Sequence, residues 1–354
     1  MVHGVGLIGA GPGVAALHLP TLARLATDFR PVHIADSGSG RAQEIAARVG
    51  ARSSSGSADL LADPDVTVVA ICSPPDRHAQ QVLDAVAAGV GAIMCEKPIA
   101  LTEDDARRVV EACRVAGTSL IVGTNHLFDP AWGRAKHHLS ASGGPVRSVN
   151  ISLALPPNGR YHELVSELDA SAGPGGGRPA PDWSNPHVAG AIVRQLVIGL
   201  GVHDLPALRD IVPMIDRVVY ARPLSPIGYV LGAVAGDVAV QLSAVMLPDG
   251  ADALWRITVI TELDRVEVEF PPAFVHDGSA RVRVWGPNEH LTEYPRERND
   301  GYLEEWLALA ALLDGGEPVE YDSILDDAIF AIRLADAARD AVTGADALIG
   351  GGVR

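Results

Sequence analysis

Lysine is nearly missing from this chain: two, Lys97 and Lys136, stand against 26 arginines in 354 residues. Cysteine is scarce too. The three thiols, Cys72, Cys95 and Cys113, show neither disulfide-framework nor metal-ligand spacing, so no metal is expected and a reducing compartment is. Each reads as small core filler. Positive charge is in deficit, with a formal net charge of -16. That balance argues against nucleic acid, because phosphate binding needs clustered Lys and Arg. It suits a neutral or cationic small molecule, although an acidic surface that only keeps the protein soluble is the simpler explanation. Uninterrupted apolar runs are also lacking. The most apolar one, AGAIVRQLVIGLGVHDLPAL, is broken by Arg194, Gln195, His203 and Asp204, so no membrane span is expected. No basic leader with a cleavage site is visible, and the chain reads as cytoplasmic.

What is present is a 47% hydrophobic composition with few aromatics, the profile of a globular protein. The length suits two domains. From residue 2 to about 124 short apolar strands alternate with amphipathic helices: VGLIGA, PVHIAD, VTVVAICS, GAIMCEK and SLIVGT are the strands. Such a series implies a doubly wound α/β Rossmann domain, residues 1–124, with a parallel sheet covered on both faces. After a linking helix at 125 to about 145, the runs VRSVNISLAL, DRVVYARPL, VAVQLSAVML, WRITVITEL, RVEVEF and ARVRVWG alternate apolar and polar residues. They predict an α+β domain over 125–354 with an open, mostly antiparallel sheet, one helix at about 190–210 and two closing helices.

The first strand runs into GAGPGVA, where Gly9 and Gly11 fit the first two positions of G-x-G-x-x-G and Val14 occupies the third; Gly11, Gly13 and Ala16 offer another register. Gly9 permits the tight turn, and Gly11, Pro12 and Gly13 bring backbone to a pyrophosphate at a helix N-terminus. Asp36 ends the second strand where a carboxylate takes ribose hydroxyls and repels a 2'-phosphate, which favours NAD over NADP. Arg41 lies nearby, and Asp36 as a plain turn residue stays open. The fourth strand ends in CSPPDRH, placing Ser73 and Pro74 at the sheet edge where open parallel sheets bind ligands. His78 there reads as a cofactor neighbour or as a helix start.

The fifth strand ends in Glu96-Lys97-Pro98 at the same edge, beside the expected nicotinamide position. A Lys-Pro bond is cis at modest cost. An ammonium there holds a substrate hydroxyl and stabilises the developing alkoxide. A surface lysine paired with Glu96 is the bland reading, and the rarity of lysine in this chain weakens it.

In these residues the chain resembles the glucose-fructose oxidoreductase, inositol dehydrogenase and MocA family of NAD(P)-dependent oxidoreductases. The segments are GLIGAG, ICSPPDRH, CEKPIALT, VGTNHLFDPAW and GLGVHDLPALRD, with the closing helices. The resemblance implies hydride transfer between a nicotinamide and a sugar, cyclitol or amino sugar, and a homo-dimer or homo-tetramer. It implies that Lys97 orients the reacting hydroxyl or carbonyl and that His203 is the general acid/base. Asn125 and His126 match positions near cofactor and substrate. Where the family pattern has Asp four residues before the histidine, this chain has Gly199. A substitute carboxylate is sought at Glu163, Glu167 or Asp182, with Asp204 expected to point elsewhere. The acid-rich stretch HELVSELDA extends the substrate reading to an aminoglycoside. A non-catalytic NAD sensor and an NAD-dependent glycoside hydrolase remain as alternatives.

Overall fold

A computed structural model describes residues 2–156, 182–247 and 252–344. It divides into two compact units. The first takes in the chain up to Gly123 together with Tyr302–Ile329, the second the described residues from Thr124 to Gly301 and those from Phe330 on.

The first unit carries six strands: β1 (His3–Ile8), β2 (Phe29–Asp36), β3 (Arg52–Ser55), β4 (Val68–Ile71), β5 (Ala92–Glu96) and β6 (Ser119–Gly123). All pair in parallel, in the order β3-β2-β1-β4-β5-β6. The intervening helices are α1 (Leu19–Arg24, entered through a π-helical turn at Val14–His18), α2 (Arg41–Val49), α3 (Ala58–Leu61), α4 (Pro75–Ala87) and α5 (Glu103–Ala116). Val5, Leu7, Val68, Val69, Ala70 and Ile71 are completely buried, as strands covered on both faces require. The strand order reverses between β1 and β4, whose carboxyl ends therefore flank a topological switch point. Local chemistry sets the helix ends. Thr102 caps α5 by accepting from the Asp105 N–H, three acids occupy its first turn, and Gly117 closes it at φ 68°.

The second unit begins with α6 (Asn125–Phe128) and α7 (Pro130–Ala141) and contains β7 (Val146–Leu155), α8 (Pro186–Gly199), a 3-10 turn at Gly201–His203 and α9 (Leu205–Ile211). β8 (Arg217–Pro223), β9 (Ile227–Ala235), β10 (Val238–Met246), β11 (Leu254–Thr261), β12 (Arg265–Glu269), β13 (Arg281–Trp285) and β14 (Leu291–Glu293) complete its sheet. The order is β14-β13-β12-β11-β7-β10-β9-β8, antiparallel except for the parallel pair β7 and β10. In β7, Val149, Ile151, Leu153 and Leu155 are buried and the residues between them are half-buried, the period-2 pattern read from sequence.

Three strands, β3, β9 and β14, have no counterpart among the runs read from sequence. β9, IGYVLGAVA, lacks alternation because glycine takes positions where side chains would collide: a Cβ on Gly232 would stand 2.3 Å from the Tyr220 ring. The single helix expected at 190–210 is broken, with α8 and its 3-10 extension meeting α9 at 71°. Pro206 has no N–H to donate, and its ring would clash with the carbonyl one turn back, so the α8 helix cannot run through. Among the described residues no single helix is long and apolar enough to cross a membrane.

The closing helices are α10 (Gly301–Leu313) and α11 (Tyr321–Thr343). Trp306 of α10 is fully buried in the first unit, edge-on to Phe29 at 5.1 Å and to His18 at 6.0 Å between ring centroids.

Candidate active site

In the first unit, β1 ends in the turn Gly9-Ala10-Gly11-Pro12-Gly13. Gly9 has φ 120°, and a Cβ there would lie 2.6 Å from the Cys72 carbonyl oxygen at the end of β4, so only glycine fits. Among the described residues nothing lies within 4 Å of where a Cβ on Gly11 or Gly13 would stand. That side of the turn, with half-buried Pro12 between the two glycines, stays open for a ligand. Val14 is fully buried, so the third position of the fingerprint serves core packing.

Asp36, at the end of β2, accepts from the Gly38 N–H (2.7 Å), the Ala42 N–H (3.2 Å) and the Ser39 hydroxyl. Burial pushes its pKa up, but the Ser39 hydroxyl and the backbone N–H groups of Gly38, Ala42 and Ser39 outweigh this and hold it below the usual carboxylate value. The group is therefore anionic at neutral pH, at the strand end where a ribose is read. An open glycine turn and a fixed carboxylate fit an adenine dinucleotide.

Past β4, the Ser73 hydroxyl is 2.5 Å from Gln81 Oε1, and exposed Pro74 precedes α4. His78 is 1% exposed, with Nδ1 2.8 Å from the Pro98 carbonyl and Nε2 2.7 Å from the Ser73 carbonyl. The ring thus bridges the loops after β4 and β5, donating to one carbonyl as neutral imidazole and to both as imidazolium. Replacing His78 by phenylalanine strands the buried Pro98 carbonyl, at about 1–3 kcal/mol for an unsatisfied group. A clear fall in the thermal midpoint is expected, and a midpoint equal to that of the unaltered protein would contradict the bridge.

Glu96 ends β5 and accepts from His18 Nε2 at 2.9 Å and from the Lys97 N–H at 3.2 Å. Burial raises its pKa, yet the His18 hydrogen bond and the positive charges of His18, Lys97 and His78 leave it below the usual glutamate value. Lys97 is half-buried, and its bond to Pro98 is cis. Desolvation holds its ammonium below the ordinary lysine pKa against the opposing pull of Glu96.

In the second unit, two consecutive pairs interlock. Asn125 Oδ1 accepts from His203 Nδ1 at 2.7 Å, and Asp204 Oδ1 accepts from His126 Nδ1 at 2.7 Å. Asp204 is completely buried, and its Oδ2 takes the Trp255 Nε1–H at 2.6 Å. The His126 ring lies flat on Phe270, 3.7 Å away at 9°. Trp255 stands edge-on to His126 at 4.6 Å and to His203 at 4.9 Å, and the two imidazoles are 5.5 Å apart. Asp129, next to α6, accepts from the Ala131 and Ala280 N–H groups; burial lifts its pKa to about 6 in spite of those bonds.

Asp204 turns away from His203, as expected, and onto His126. Residues 199 and 203 share a helical face only in a continuous helix, and α8 stops at Gly199. Asp182 uses Oδ1 on the Ser184 N–H and hydroxyl. Glu163, Glu167 and the stretch HELVSELDA lie outside the described residues. Trp255, Phe270 and Gly301 were invisible to motif reading. A Cβ on Gly301 would stand 1.8 Å from the Asn125 carbonyl oxygen, so this glycine sets where Asn125 sits.

Residues 3–124 match the model of an oxidoreductase family with an NAD-binding Rossmann fold, Gfo/Idh/MocA. Inositol 2-dehydrogenase 3 of Saccharopolyspora erythraea is 36% identical over 172 residues, 47% of this chain and 50% of that protein. The 1,5-anhydro-D-fructose reductase of Ensifer adhaerens is 38% identical over 105 residues, 28% of this chain and 31% of that one. The chain spans about half the length, or less, of the curated relatives it matches. Among solved structures, KijD10, a 3-ketoreductase from Actinomadura kijaniata in complex with NADP and TDP-benzene, superposes with a TM-score of 0.72 at 21% identity, covering 93% of this chain and 95% of that one. At that identity the likeness shows a shared fold. Over residues 3–124 the chain is thus similar to the NAD-binding domain of the Gfo/Idh/MocA oxidoreductases.

Proposed function

We propose that this protein is an NAD-dependent oxidoreductase that interconverts a ring hydroxyl and a keto group on a sugar, cyclitol or amino sugar. The observation that carries the reading is the glycine turn after β1, open at Gly11 and Gly13, in a domain of the NAD-binding family. The nicotinamide supplies the hydride acceptor or donor. The hydroxyl proton moves through His203, whose ring is oriented by the hydrogen bond between Nδ1 and Asn125. Lys97 holds the reacting oxygen and stabilises negative charge on it. The relatives named for inositol and anhydrofructose support the substrate class.

The test is absorbance at the NADH band with NAD and a panel of neutral sugars, inositols, nucleotide sugars and aminoglycosides, then keto-sugars with NADH. Turnover of one class establishes the reading; NAD binding with a flat trace in both directions overturns it. The amino-sugar extension rests on the net charge of -16. It fails if neutral sugars turn over better than amino sugars.

For the cofactor, the fixed negative charge of Asp36 favours NAD. In the Asp36→Ser variant the ratio of kcat/KM for NAD over NADP drops by roughly tenfold or more, since tenfold corresponds to about 1.4 kcal/mol of lost discrimination. An unchanged ratio would assign the choice elsewhere, with Arg41 at the start of α2 the next residue to vary.

A further inference from the structure

The fold leaves one feature of the second unit unused by the function above: a completely buried carboxylate tied to a second histidine. We propose that Asp204 supplies the carboxylate missing at Gly199, and that it acts through His126, making Nε2 of His126 a proton-accepting atom of the reaction. The inference rests on the function proposed above and adds a catalytic residue, His126, and a positioning residue, Asp204.

An ionised carboxylate only accepts hydrogen bonds, and Asp204 faces two donors: His126 Nδ1 at one oxygen and Trp255 Nε1 at the other. The proton of neutral His126 therefore sits on Nδ1, which leaves the lone pair on Nε2. That nitrogen has no partner among the described residues, and it is not among the buried polar atoms left orphaned, so it meets solvent although the residue is only 3% exposed. Phe270 against one face and the edge of Trp255 hold the ring in place. His203 is oriented differently, by the neutral amide of Asn125. The carboxylate of Asp204 stabilises the imidazolium left after proton uptake, so His126 is built to hold the proton. In the oxidative direction the carbinol carbon gives up its hydride to the nicotinamide. Its hydroxyl proton, taken up first by His203, passes on to Nε2 of His126, leaving a ketone, a neutral His203 and an imidazolium beside Asp204.

Trp255 provides the test. In D204N the side chain has one acceptor and one donor where two acceptors stood. Indole N–H only donates, so the asparagine oxygen must face Trp255 and its NH2 must face His126 Nδ1. The tautomer inverts and Nε2 becomes protonated. In D204N/W255F the amide is free to turn its oxygen to His126, and the original tautomer returns.

Nitrogen-15 NMR of the histidine rings reads this in the protein alone, and kcat on the fastest panel substrate reads its consequence. D204N is expected to show an inverted His126 tautomer and a kcat lower by roughly 100-fold or more, with NAD affinity unchanged. D204N/W255F is expected to recover both in part, and H126A to lose kcat similarly and regain some with added imidazole. A role in packing alone would not follow the tautomer in this way. An Nε2-protonated His126 in the unaltered protein overturns the pairing. Turnover of H126A within about twofold of the unaltered protein overturns the catalytic role, judged against the general-base range. No turnover of any substrate by the unaltered protein removes the proposed function and this role together, whereas the tautomer result decides the pairing independently.

Discussion

Replacing Lys97 or His203 by alanine is expected to cut turnover steeply while NAD still binds. Lys97 stands at the end of β5, beside the carboxylate of Glu96, half-buried and with its ammonium held below the ordinary pKa by desolvation. A positive group already stripped of much of its water stabilises a developing alkoxide more strongly than a hydrated one and costs no reorganisation during reaction. His203, oriented through Nδ1, contributes proton transfer, an effect of about 100- to 10,000-fold. The expected losses in kcat for Lys97→Ala and His203→Ala fall in that range. The NAD dissociation constant is expected to stay within a few-fold, because the open turn and Asp36 are untouched. The Lys97→Arg variant is a sharper probe. It keeps a charge but not the compact ammonium, and is expected to recover little activity. Steady-state rates with titration of NAD by intrinsic fluorescence check all three. Unchanged turnover in both alanine variants would refute the assignment.

Gly301→Ala is expected to be the most damaging single methyl group in the second unit. A Cβ at that position would lie 1.8 Å from the Asn125 carbonyl oxygen and 2.7 Å from its carbonyl carbon, and neither backbone atom can swing aside as a side-chain tip can. The backbone must shift at Asn125, which holds His203, and at His126, which holds Asp204. Overpacking of this kind costs about 1–3 kcal/mol and sometimes more. A lower thermal midpoint and a loss of turnover larger than the loss of stability explains are therefore expected. Gly199→Ala is the matching control. Among the described residues nothing lies within 4 Å of its Cβ position, so the same added methyl group is expected to be neutral or stabilising by up to about 1 kcal/mol through reduced freedom of the unfolded chain. Equal melting curves for Gly301→Ala and the unaltered protein would show that the backbone at Asn125 yields without cost.

Much of the architecture was legible because it rests on local rules. The buried strands β1, β4 and β5 are short apolar runs between amphipathic helices, and a parallel sheet follows from their alternation. The glycine turn was legible for the same reason: Gly9 is demanded by its own backbone conformation. β9 was not, since its glycines answer to Tyr220 and to the β10 backbone and so erase the alternation that marks a strand.

The residues of the second unit divide the same way. Asn125, His126 and His203 stood out by type and by their place in the sequence, and the fold brings them into one cluster. Their partners were hidden. Asp204 follows His203 directly, but which group it meets depends on the break after Gly199, on Pro206, and on a tryptophan 51 residues away. Gly301 meets Asn125 across an even longer separation. By itself the sequence determined the two sheet classes, the nucleotide-binding turn and the lone lysine at a strand end, all of which follow from periodicity and backbone freedom over a few residues. Only the tertiary structure decided which histidine receives the buried carboxylate, because hydrogen-bond partners far apart in the chain leave no local signature.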